Sequence, residues 1–229
     1  MHAISIVTVC WNSYDFADLL LESVNLYSAF DHEIIIVDNT IDPRPISYQK
    51  ANVLIQRNNI GHGAGLNLGA QHAKHPYVLF LDIDCHFLRR GWEKAFFEAM
   101  EGYDVIAGRG VPAKPIRPAC MFLKQEVAQK YDWRPTPGYK GHRITPEGFD
   151  VAIQAYHQMV KDDVAIRLID SQPNRYSTNN GEEWCINDIP FIYHHWHGSH
   201  LKERQVDFPN VDLAQDKLNL FSKIPWRIL

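Results

Sequence analysis

Apolar positions in the first half of this chain fall alternately into short strand-like runs and stretches of helical period. Ile4 to Val9, Glu33 to Val37, Val53 to Ile55 and Tyr77 to Leu81 are the runs, and Asp104 to Ala107 reads as a fifth strand. Between them, Phe16, Leu19, Leu20, Ser23, Val24 and Tyr27 recur on one helical face, and so do Trp92, Phe96, Phe97 and Met100. Gly63 to Lys74 reads as another helix, as does the later pattern Val151, Ala155, Tyr156 and Met159. A helix repeats its exposed face every 3.6 residues or so, whereas a strand buried on both faces shows a continuous apolar run. Strands alternating with helices predict an α/β fold, a Rossmann-like and mostly parallel sheet with helices on both faces.

Beyond residue 108 the pattern loosens. Arg134 to Gly148 contains three prolines and three glycines, too irregular for a regular element, and is expected to form a mobile loop over a site. No internal repeat interrupts the chain. One domain over residues 1–229 is expected, with a ligand-binding first half (1–108) and a second half (109–229) facing a second substrate.

Composition narrows the classes. Charged residues make up 22% and hydrophobic ones 45% of the 229 residues, and the formal net charge of -4 argues against a nucleic-acid partner. Cys10, Cys85, Cys120 and Cys185 are widely spaced with no C-x-x-C pair, which suggests neither a zinc ribbon nor a disulfide framework. No apolar run approaches a membrane span, and the N-terminus lacks a signal-peptide pattern. A cytoplasmic protein is expected, with peripheral docking to the inner face of a membrane left open.

The chemistry begins at Val78-Leu79-Phe80-Leu81, which ends in Asp82-Ile83-Asp84. Strand side chains alternate, so two carboxylates two residues apart share a side. At the carboxyl end of a strand in an α/β sheet they occupy the usual ligand edge, and their mutual repulsion calls for a cation. A hard divalent ion, magnesium or manganese, suits carboxylate oxygens and keeps positions open for phosphates. The implied ligand is a diphosphate. Two other strand ends, Val9-Cys10-Trp11-Asn12 and Val37-Asp38-Asn39, bring polar groups to the same edge; Asp38 either accepts from a ribose or base, or caps a turn. Gly61-x-Gly63-x-Gly65 opens a helix but lacks the G-x-G-x-x-G spacing after a first strand, which disfavours a nicotinamide dehydrogenase.

The ordered set Ile4 to Asn12, Ile34 to Asn39, Asn59 to Gly69 and Leu79 to Asp84 resembles the family 2 glycosyltransferases, inverting nucleotide-sugar-dependent enzymes of the A-type fold, including rhamnosyltransferase-like members. The resemblance implies transfer of a hexosyl or deoxyhexosyl group from a nucleoside diphosphate sugar to a glycan or lipid-linked glycan hydroxyl, in surface polysaccharide or glycan synthesis. It implies that Thr8, Cys10, Asn12, Asp38, Asn39, Asn59, Gly61, Gly65 and Asn67 surround the nucleoside. Asp82 falls to the ribose and metal side and Asp84 to direct contact with Mn2+ or Mg2+. This chain departs from the pattern in two places: Cys85 and His86 follow the carboxylates, and the Glu-Asp acid motif is matched only by Phe149-Asp150.

Asp150, at the start of a helical pattern, is the expected general base that takes the acceptor proton, with Glu147, Glu182 and Glu183 as competitors and a plain helix cap as the other role. Tyr193 to His200 holds four histidines; His197, then His195, are the expected further metal ligands. Two other functions stay open at this point. One is a nucleotide-sugar-binding protein that has lost its base. The other is a sugar nucleotidyltransferase, disfavoured because Cys10-Trp11-Asn12-Ser13 replaces the basic glycine-rich phosphate loop of that class.

Overall fold

The computed structural model describes residues 2–46, 51–111, 114–137, 150–196 and 210–224. The first half runs β1 (Ala3–Cys10), α1 (Tyr14–Tyr27), β2 (Asp31–Asp38), β3 (Ala51–Ile55), α2 (His62–His72), β4 (Tyr77–Leu81), β5 (Cys85–Phe87) and α3 (Trp92–Ala99). It continues with β6 (Val105–Val111), β7 (Lys114–Lys124), α4 (Gln125–Lys130), α5 (Ile153–Lys161), β8 (Ile166–Ile169), β9 (Ser171–Pro173), β10 (Glu182–Ile186), β11 (Ile189–His194) and α6 (Leu213–Lys223).

Seven strands form the main sheet in the order β3-β2-β1-β4-β7-β6-β8. Strands β1 to β4 and the β6-β8 pair run parallel, while β7 is antiparallel to both its neighbours. The expected mostly parallel α/β sheet is therefore present. β7 follows β6 closely in sequence, and such a short connection can only reverse direction.

Alternation along each strand divides the core between the two faces. Ile4, Ile6, Leu79 and Phe122 pack with Phe16 and Leu20 of α1 and Trp92 and Phe96 of α3. Val7, Phe80 and Met121 point the other way, onto Leu66 of α2, Val127 of α4 and Met159 of α5. Helix α2 lies close on β1 because it is small there: a Cβ on Gly65 would come within 2.7 Å of Val9 Cγ2, and one on Gly69 would collide with Val7 Cγ1. Gly65, expected beside the nucleoside, thus shares with Gly69 the close contact of the helix with β1.

A second, wholly antiparallel sheet, β5-β11-β10-β9, was not legible in the sequence. β5 leaves directly from the carboxylate pair, and β11 pairs with it in the register His194 to Cys85 and Tyr193 to His86. Glu182 of β10 stands opposite His194 on the other side. This register, set far along the chain, determines what meets Asp82 and Asp84. All four cysteines are free and buried, and no helix among the described residues is long and apolar enough to cross a membrane.

Candidate active site

Strand β4 ends at Leu81, and the turn that follows is pinned on both sides. The Asp82 N–H donates to the Ala119 carbonyl of β7 at 3.0 Å, and the Cys85 N–H closes the turn onto the Asp82 carbonyl at 3.0 Å. The chain thus holds Asp82 and Asp84 at the carboxyl edge of the sheet centre. Asp84 is almost fully buried and its side chain lies 3.5 Å from His194 Nε2; Asp82 is partly exposed, with His62 Nε2 at 3.3 Å and His194 Nε2 at 3.8 Å. Loss of solvent raises the Asp82 pKa, helped by the Asp84 charge and opposed by His62 and His194.

His194 is the hub of this cluster. Burial alone would lower its pKa, but the carboxylates of Asp84 and Glu182, 3.5 and 3.6 Å from its ring nitrogens, and the charge of Asp82 outweigh that and push it up to about 10. Glu182 is fixed in turn, accepting from Arg117 at 2.8 Å and from the Ser171 hydroxyl at 2.7 Å. Although its burial favours the neutral acid, His194, the Ser171 hydroxyl and Trp196 hold its carboxyl down to about 2.

The donor set fits a hard divalent cation. Ligand atoms of Asp84, Cys85 and His194 lie within 4.8 Å of one another, and Asp82 Oδ1 is a buried oxygen with no hydrogen bond among the described residues. Carboxylate oxygens suit magnesium or manganese, and the His194 nitrogen becomes a ligand when the metal displaces its proton. Cys85 is the weakest member: burial and the flanking carboxylates raise its thiol pKa well above the ordinary value, and its Sγ lies 3.6 Å from the Ala119 carbonyl.

Beside the cluster opens a cavity of about 280 Å³ whose wall includes Asp82, His194, Lys114, Arg117 and Asp150. Asp150 sits across it from the strand end, its Oδ2 bound by Lys114 Nζ at 2.5 Å and its Oδ1 accepting from the Val151 N–H at 2.8 Å. The expected helix starts later than the pattern suggested. Helix α5 begins at Ile153 after Ala152, which has φ 66, so Asp150 lies ahead of the cap position.

The residues expected around the nucleoside have different surroundings. Asp38 is fully buried, with Tyr14 Oη donating to Oδ2 at 2.9 Å and the Thr40 N–H to Oδ1 at 3.0 Å. Thr8 and Cys10 are also buried within the sheet; desolvation pushes the Cys10 thiol up to about 12. Asn12 is exposed, with φ 54, and its N–H donates to Thr40 Oγ1 at 3.0 Å. Asn39 reaches Asn59 Oδ1 and the Gly61 carbonyl, both at 3.4 Å, and Gly61 has φ +88 with open space where a Cβ would be. Asn67 faces away: it donates to Asp132 at 2.7 Å and accepts from the Trp133 N–H at 3.0 Å.

His195 and His194 are neighbours with opposite surroundings. The His195 ring is fully buried and stacks on Phe16 with centroids 5.3 Å apart, and burial lowers its pKa to about 4. His194, not singled out from the sequence, faces the carboxylates instead. The alternation signal was there, since adjacent strand residues point to opposite faces, but no sequence feature fixed the phase. His62 and Lys114 were likewise missed. Glu183 is spent on Arg175, at 2.7 Å from both its N–H and Nε, and on Gln172 at 3.1 Å. His197, Glu147 and most of the loop from Arg134 to Gly148 lie outside the described residues.

A sheet with this order, carrying paired carboxylates at the carboxyl edge of β4, defines the A-type class of nucleotide-sugar folds. The model of glycosyl transferase family 2 matches residues 5–159, and the chain belongs to that family. A search by sequence against curated proteins finds no match. Among solved structures, TarS 1-349 of S. aureus is similar with a TM-score of 0.52 at 17% identity, over 95% of this chain and 69% of that chain. Another structure of S. aureus TarS gives 0.52 at 16% identity, over 96% of this chain and 42% of that one. The mannosyltransferase PcManGT from Pyrobaculum calidifontis, in complex with GDP-Man and Mn2+, gives 0.51 at 12% identity, covering 75% of this chain and 57% of that one. These likenesses establish a shared fold.

Proposed function

We propose that this glycosyltransferase is metal-dependent and inverting, and moves a sugar from a nucleoside diphosphate sugar to a hydroxyl of a glycan or lipid-linked glycan. The observation that carries this reading is the cavity joining Asp82 and His194 to Asp150 across one small space. Asp82, Asp84 and His194 would hold Mn2+ or Mg2+, which when bound neutralises the donor diphosphate and stabilises it as the leaving group. The PcManGT structure with GDP-Man and Mn2+ supports a donor and ion of this kind.

The protein's own groups then have separate tasks. Asp150 takes the proton of the acceptor hydroxyl as that oxygen attacks, and Lys114 holds its carboxylate in the cavity beforehand. Glu182, anchored by Arg117, fixes the His194 ring. Residues 1–108 bind the donor, and residues 109–229 supply Asp150 and the acceptor side of the transfer centre.

Calorimetric titration with GDP and UDP, in Mn2+ and in excess chelator, tests this reading. The expected result is binding that needs the metal and weakens by about tenfold or more in His194→Ala, the usual scale for a lost ligand or its supporting partner. Equal affinity in chelator would remove the metal from the function. Full affinity with no turnover on any sugar nucleotide or acceptor would instead favour a binding protein without catalysis.

A further inference from the structure

Strand β4 has a second functional-looking end. Tyr77 opens β4 and Asp82 follows its last residue, so about 16 Å separates the two at roughly 3.3 Å per residue. Around Tyr77 lies a groove of about 630 Å³, larger than the cavity at Asp82 and sharing no residue with it. His2, Phe30 and Phe97 line it with Tyr77 as a ring cluster. Phe30 and Phe97 stack at 5.7 Å, His2 lies 4.3 Å from Phe97, and Tyr77 meets Phe97 edge-on at 5.0 Å.

The polar side of the groove is held in place. After α3 the chain turns at Gly102, φ +78, and the Tyr103 N–H donates to the Met100 carbonyl at 2.9 Å, which sets Glu101 and Tyr103 on the rim. Asp104 is locked between Lys124 Nζ at 2.6 Å and the Ala165 N–H at 3.1 Å. Of the three carboxylates in the lining, Glu98 pairs with Lys94 at 3.6 Å and Asp104 with Lys124, which leaves Glu101 as the lining carboxylate without an ion pair among the described residues.

This balance selects a ligand class. An anion would meet the charge of Glu101 with both lysines already paired, and a purely apolar ligand would strip water from that carboxylate without replacing its hydrogen bonds. A neutral pyranose satisfies both sides, with an apolar ring face for the aromatics and hydroxyl donors for Glu101. We propose that this groove is a second saccharide site, which holds a neutral sugar unit of the acceptor or product glycan away from the transfer centre. Its link to the acceptor rests on the function proposed above; its affinity for sugar does not.

The test is a titration of the 15N-labelled protein with neutral trisaccharides of glucose, mannose and N-acetylglucosamine, followed by amide shifts. Expected are shifts at Glu101, Gly102 and Tyr103 that saturate near about 1 mM, a weak-site affinity. A Glu101→Gln/Tyr103→Ala protein should bind about tenfold more weakly, as loss of charge-assisted hydrogen bonds predicts. Asp84→Asn should bind the trisaccharides unchanged even where it loses nucleotide, which separates this site from the proposed transfer centre. No shift at the groove with any trisaccharide, an unaltered affinity in the double variant, or tighter binding of inorganic phosphate than of sugar would overturn the proposal.

Discussion

Two parallel strands of the same sheet end in a carboxylate, and the two carboxylates have opposite circumstances. Asp38, at the end of β2, is fully buried, and both its oxygens are taken by Tyr14 and Thr40. Asp82, just past the end of β4, has no hydrogen bond on Oδ1 among the described residues, only the contact of 3.3 Å with His62 Nε2, and it shares its space with Asp84 and His194. The first builds a turn from within; the second leaves charge for something else to satisfy. Position at the carboxyl edge of an α/β sheet is thus only half of a site. The other half is polar capacity that the fold does not itself consume.

The largest test of this contrast is at the cavity across from Asp82. Asp150→Asn preserves size but cannot take a proton, so turnover should fall by roughly 100- to 10,000-fold with nucleotide affinity within a few fold. Turnover close to wild type in a well-folded variant would exclude Asp150 as the base, whichever partner Lys114 then finds.

Next comes the pair of adjacent histidines, which repeats the contrast within two residues. His195 has a folded pKa of about 4, below its ordinary 6.5, so the unfolded chain takes up the proton first. Its contribution to stability is complete above pH 6.5 and is lost as pH falls through 4. Over that window the wild type should lose up to about 3 kcal/mol that His195→Phe retains, measured by urea denaturation at a series of pH values. Parallel pH curves for the two proteins would mean that His195 is solvated and free to act as a ligand.

The smallest expected effect belongs to Asp38. Removing one of its two donors with Tyr14→Phe should cost about 1 kcal/mol of stability. Turnover should stay within a few fold, because the carboxylate's work is internal. A large loss of donor affinity without a change in melting temperature would return Asp38 to the nucleoside.

The hydrophobic pattern by itself determined the β-α alternation of the first half, the strand Tyr77 to Leu81 as it stands, and the emergence of Asp82 and Asp84 from it. These are local facts: a buried strand needs an apolar run, and the polar residues that follow must sit at its end. Tertiary structure alone decided which groups meet those carboxylates. His194 reaches them because β11 pairs with β5 in one register; a slip of one residue would have presented His195 instead. Register is fixed by the packing of Trp184, Tyr193 and their neighbours across the second sheet, contacts between segments about a hundred residues apart. Likewise, Gly65 and Asn67 lie in a stretch that reads as a nucleotide loop, and only the tertiary structure brings Gly65 onto Val9 and Asn67 to Asp132. A linear pattern records which residues can carry charge or approach closely; which of them remain unsatisfied is settled only when distant segments have competed for the same hydrogen bonds and the same space.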